Sequence, residues 1–225
     1  MRRHNAMASF VVVAALAAGC AHSGSAHSRS TNSVAARGSG HEAPDAVNAA
    51  RSFDAGVAAF ARRDYAASLA AFDRAYRLAP NTDVLFNLAR THDALGHDVE
   101  AARYYVAYMR SATDIPQSIT RECQDALFRI QSLVGWVMVR GRTRVTVDGT
   151  ALAFMPRGTP IAVSAGVHTI RAEDDRTSVA VRSRAGEVLA LSFATRDAVV
   201  LLETQPLSEL NVGTNAVLST ALYGR

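Results

Sequence analysis

The chain has 225 residues, of which 49% are hydrophobic and 20% charged. That balance excludes a wholly disordered polymer and is enough for one large or two small domains with a real core. The formal charge of +4 rests on 24 basic residues, every one an arginine. Without Arg2 and Arg3, 22 arginines face 20 acidic residues, which excludes a nucleic-acid-binding stripe. The complete absence of lysine fits a GC-rich coding bias better than selection for anion binding.

Residues 1–19 do not belong to the core. Arg2 and Arg3 give a positive start, Phe10 to Leu16 a short apolar run, and Ala17-Ala18-Gly19 a small-residue stretch directly before Cys20. This is the layout of a secretory signal, and the apolar run is short for a bilayer span. An ordinary signal peptide followed by an incidental cysteine would share most of it. With the cysteine in that place, LAAGC (16–20) resembles the lipobox of bacterial lipoproteins. The resemblance implies lipidation of Cys20, cleavage before it, and stable attachment to a membrane. Ala21 in place of Asp after the cysteine implies the outer membrane, facing the periplasm. Once Cys20 is acylated, Cys123 has no partner for an internal disulfide and is expected as a buried thiol.

Residues 20–48 are rich in Ala, Ser, Gly, His and Arg, with too little apolar surface to offset ordering. They read as a flexible tether, about 27 residues spanning roughly 30 Å.

From 49 to 134 the pattern is helical. Phe53, Val57 and Phe60 share one face, Leu69, Phe72, Ala75 and Tyr76 the next, with a break at Arg63-Asp64-Tyr65. Pro80 ends this pair and Asn81 offers a cap for a third helix. The pattern then recurs over 85–108, with Gly96 lying 33 residues after Arg63. A helix-pair period near 34 is the signature of tetratricopeptide repeats. Gly56, Tyr65, Phe72, Ala75 and Pro80 in the first unit, and Leu88, Gly96 and Ala101 in the second, resemble that family; Ser68 departs from its usual Ala, and no proline follows Tyr108. Two repeats need a capping neighbour. Pro116 to Val134 supplies it, with Ile119, Cys123, Leu127, Ile130 and Val134 at helical spacing.

At Val134-Gly135 the period changes to 2. Strands are predicted at 136–139, 144–147, 161–163, 168–172, 179–182 and 188–193, with Asp148-Gly149 as a hairpin turn. VTVDGT (145–150), PRGTP (156–160), VSAGVHTIRA (163–172) and AGEVLALSF (185–193) resemble the PEGA domain, a β module of cell envelopes, with the Glu of the naming motif replaced by Arg157. The expected fold class is therefore α+β in two separate domains: tetratricopeptide-like hairpins over 49–134, then a small all-β sandwich over 135–203. AVVLLE (198–203) reads as one more strand, and 204–225 as a partner-binding segment or a frayed end.

Chemistry is sparse. His92 and His97, each followed by an aspartate, are the most metal-like group, yet a spacing of five with Gly96 between them predicts separate surface positions, since a helical zinc pair wants i and i+4. His168 reads as a packed strand residue, and Glu173-Asp174-Asp175 as a solvated turn. No G-x-S-x-G elbow and no phosphate loop occur. No catalytic residue, metal or cofactor is expected. The tetratricopeptide resemblance implies a concave groove for a peptide or helix, lined by Phe53, Val57, Phe60, Asn87, Arg90 and Asp93. The same residues can instead do no more than pack neighbouring helices.

These readings converge on a non-enzymatic, membrane-anchored envelope lipoprotein. Its lipid holds the membrane, its groove holds a protein or peptide partner, and its β module reaches surface or cell-wall carbohydrate. The alternatives are an assembly factor or chaperone for a secretion or pilus machine, and an accessory to a cell-wall hydrolase.

Overall fold

The computed structural model describes residues 42–140, 144–156, 158–172, 178–193 and 200–205. Among the described residues five helices come first: α1 (Glu42–Ala61), α2 (Tyr65–Leu78), α3 (Thr82–Ala94), α4 (Asp98–Ser111) and α5 (Gln117–Ile130). Eight strands follow: β1 (Gly135–Arg140), β2 (Val145–Val147), β3 (Thr150–Ala151), β4 (Ile161–Val163), β5 (Gly166–Ala172), β6 (Ser178–Ser183), β7 (Val188–Phe193) and β8 (Val200–Gln205). The layout is α+β.

α1 starts at Glu42, inside the stretch assigned to the tether and ahead of Ala49, where apolar periodicity becomes legible. Residues 45–48 are all exposed, so burial leaves no pattern there, and the first turns extend a helix anchored further along. Proline at 44 is compatible with a first turn, whose N–H groups have no intrahelical acceptor.

Two reversals join the helices into hairpins in the same way. Arg63 adopts φ 63° between α1 and α2, and Gly96 adopts φ 73° between α3 and α4. Each precedes the N-cap of the next helix, Asp64 and His97 respectively. Asp64 caps α2 by accepting from the Ala67 N–H at 3.1 Å, and Asn81 caps α3 through the Asp83 N–H at 2.8 Å. Between the hairpins, Ala79 is extended, as a residue before proline should be. α1 and α2 meet closely where Gly56 faces Phe72: a Cβ on Gly56 would stand 2.6 Å from the ring.

The strands form two four-stranded sheets, ordered β4-β1-β7-β8 and β3-β2-β5-β6. The first is mixed, because β1 runs parallel to β7, with Trp136 opposite Val188 and Arg140 opposite Ser192. The second is antiparallel, with Val145 opposite Ala172 and Gly166 opposite Ser183. β2 and β3 close a two-residue hairpin at Asp148 (φ 51°) and Gly149 (φ 79°), the double positive φ that Asp-Gly favours. β3 was not among the strands drawn from periodicity, since two exposed residues carry none. β8 starts two residues inside AVVLLE and continues to Gln205.

One buried cluster runs from Leu85 and Ala89 of α3, through Tyr105 of α4 and Leu127 of α5, to Trp136, Ile170 and Leu191 of both sheets. A smaller cluster of Phe72, Ala75, Val84 and Leu88 holds the first hairpin to α3. At the helix–strand junction the Trp136 ring, fully buried, donates its Nε1–H to the Gln131 carbonyl at 3.1 Å.

Candidate functional site

The helical residues assigned to a groove fall into two groups. Phe53 and Val57 lie half-buried against the Phe72 cluster, with the Phe53 and Phe72 rings edge to face at 5.5 Å. Phe60 lies at the end of α1, where the Arg90 guanidinium of α3 sits 4.9 Å from its ring centre and 5.6 Å from that of Phe86. A guanidinium within about 6 Å of an aromatic ring centre gains cation–π attraction, and Arg90 meets that distance to both rings. Asn87, one turn before Thr91, donates its Nδ2 to the Asp83 carbonyl at 2.9 Å, within its own helix.

α5 then engages the polar side. Arg90 Nε pairs with Glu122 at 2.9 Å. Asp93 receives both guanidinium nitrogens of Arg129, at 3.0 and 2.9 Å, and the Tyr105 hydroxyl at 3.4 Å. An open cavity of about 410 Å³ lies beside this network, lined by Asp93, Tyr105, Glu122, Asp125 and Arg129 among others. Glu122 and Arg129 were not singled out from the sequence; their spacing of seven on one helix face, opposite Arg90 and Asp93, was the available signal.

Cys123 is fully buried in α5, and burial pushes its thiol up to about 12, so it is an inert core residue as expected. Cys20 lies outside the described residues.

Two histidine clusters were not anticipated. In the β region His168 Nδ1 stands 2.7 Å from Asp148 Oδ2, and its Nε2 stands 3.3 Å from the Ser164 hydroxyl. The order Asp–His–Ser suggests a hydrolytic triad by distance alone. The same Nε2, however, lies 2.9 Å from the Ser164 carbonyl, an acceptor that requires a proton on that nitrogen. A nitrogen donating to a carbonyl cannot take the proton of a serine hydroxyl. The cluster ties the β2–β3 turn to the start of β5, helped by the Thr169 N–H, which donates to Asp148 Oδ1 at 2.8 Å. These bonds hold the Asp148 carboxyl below its ordinary range, the His168 contact contributing most.

In the helical region His92 Nδ1 and His97 Nδ1 stand 3.2 Å apart. The separate surface positions expected for them do not occur: Gly96 in the left-handed region lets the chain double back, and the His97 N–H donates to the His92 carbonyl at 2.9 Å. The His92 ring is buried and stacks on Tyr104 at 5.3 Å, and Tyr104 stacks on Phe154 at 4.4 Å. Burial lowers the His92 imidazole to about 4 and raises the Tyr104 phenol to about 12.

Among the described residues no group of three or more His, Cys, Asp or Glu side chains gathers as a metal cage, and no helix is long and apolar enough to cross a membrane. The chain matches no protein-family model, no curated protein and no solved structure.

Proposed function

We propose that this protein is a non-enzymatic envelope lipoprotein, anchored through Cys20, whose tetratricopeptide-like helices hold a protein partner and whose PEGA-like β module contacts surface or cell-wall carbohydrate. The observation that carries this reading is the 33-residue recurrence of a helical hairpin with the same left-handed reversal, Arg63 then Gly96, followed by α5. Stacked hairpins of this kind present the first helix of each pair along one side. Phe60, Asn87 and Arg90 are each only partly buried there, and partly buried aromatic and arginine side chains are what a protein interface uses as anchors. The occupation of Asp93 by Arg129, and of Arg90 by Glu122, makes the polar wall self-neutralised, so an extended apolar or aromatic segment suits it better than a terminal carboxylate.

The test is affinity capture from detergent-solubilised envelopes with the lipidated chain, with Phe60→Ala combined with Asn87→Ala, and with Cys20→Ala. The expected result is one dominant partner retained by the wild type and lost by the groove variant, together with release of Cys20→Ala into the soluble fraction. Retention of the same partner by the groove variant would remove the groove. Membrane fractionation of Cys20→Ala would remove the lipid anchor.

A further inference from the structure

We propose that the His92–His97 pair is a binding site for a divalent late transition metal ion such as zinc, coordinated by the two Nδ1 atoms with solvent completing the shell. It does not depend on the groove or on the lipid anchor.

The geometry is the first support. Two imidazole nitrogens 3.2 Å apart, each about 2.1 Å from a common ion, subtend an angle of roughly 100° there, between octahedral and tetrahedral values. Converging nitrogens at this separation can also share one proton, so metal and proton compete for the same place.

The rigidity of the pair is the second. Its connecting turn is fixed by backbone bonds from the Leu95 N–H to Thr91 and His92, from the Gly96 N–H to Asp93, and from the His97 N–H to His92. His92 is further held by its stack on Tyr104. A bidentate pair that needs little ordering on binding loses little entropy.

Charge is the third. His97 is the N-cap of α4, where the helix dipole disfavours a cation, but Asp98 and Glu100 in the first turn supply two negative charges against it. Asp93 is not free to join, because Arg129 holds both of its oxygens. His97 is exposed, which gives the ion a path from solvent.

The experiment is calorimetric titration of the full mature chain with zinc chloride, followed by the imidazole ¹⁵N resonances. The expected result is one ion bound per chain at a site that survives replacement of His22, His27 and His41 by Ala. His97→Ala should weaken it by more than about tenfold, the loss that even an outer-shell partner can produce. His97 is exposed, so this variant should remain folded; His92→Gln provides the second arm. The Nδ1 signals of both rings should move on saturation. Unchanged affinity in His97→Ala, loss of binding with the three tether histidines, or unmoved Nδ1 signals at saturating zinc would each overturn the site and leave a hydrogen-bonded pair.

Discussion

The Arg103 guanidinium of α4 donates its Nε–H to the backbone carbonyl of Ala162, in the middle of β4, at 2.7 Å. β4 is an edge strand, and this bond ties it to α4. Burial lowers the Arg103 pKa from its ordinary value, with Glu100 and Asp148 opposing that fall. Arg103→Gln should destabilise the fold by about 1.5–3 kcal/mol, the usual loss for a hydrogen bond with a charged donor. Urea unfolding measures it, and a change below about 0.5 kcal/mol, ordinary for a surface substitution, would show that the bond contributes no stability.

The continuity of the buried cluster across helices and sheets predicts one cooperative transition. Trp136 is the sole tryptophan and reports on β1, whereas far-UV circular dichroism reports mainly on the helices. The two urea curves should share a midpoint. Separated midpoints would mean that the helical and β segments fold as independent domains.

Gly56→Ala sets two effects against each other. Alanine gains up to about 1 kcal/mol of helix propensity over glycine. Its methyl would nevertheless meet the fully buried Phe72 ring at 2.6 Å. Overpacking a filled core costs roughly 1–3 kcal/mol, so the net effect is destabilising. Combining it with Phe72→Leu should recover part of the loss, a non-additivity read from a double-mutant cycle.

His92 gives the fold an acid-sensitive term. Its imidazole is lowered to about 4 in the folded chain from an ordinary 6.5, so the unfolded chain binds the proton more readily. Stability from this residue is complete above pH 6.5 and declines as pH falls toward 4, below which both states are protonated. At about 1.4 kcal/mol per pKa unit the span is up to roughly 3 kcal/mol. His92→Phe, which keeps a ring against Tyr104, should lack this part of the decline when both chains are unfolded in the presence of a chelator. Parallel pH profiles for the two chains would contradict it.

Much of the secondary structure was legible because it rests on local rules. The α2, α3 and α4 boundaries follow from Asp64, Pro80, Asn81 and Gly96, whose backbone preferences act within a few residues. The Asp148-Gly149 hairpin is equally local. α1 begins earlier than periodicity indicates because residues 45–48 are all exposed and carry no burial pattern, and β3 leaves no signal because its two residues are both exposed. The candidate groove was legible as a set of positions. Its electrostatic state was not, because the partners of Arg90 and Asp93 are Glu122 and Arg129, 32 and 36 residues further along the chain.

The sequence by itself determined where the chain changes from helical to strand periodicity at Val134-Gly135, the hairpin recurrence marked by Arg63 and Gly96, and the core role of Cys123. These depend on side-chain period, turn chemistry and hydrophobicity, which are properties of neighbouring residues. Only the tertiary structure decided that His92 and His97 converge, that His168 is tied down between Asp148 and the Ser164 carbonyl, and that Arg103 fastens α4 to β4. Each of these depends on the path of the backbone through a turn or between elements, and a separation in sequence does not specify a separation in space once the chain reverses.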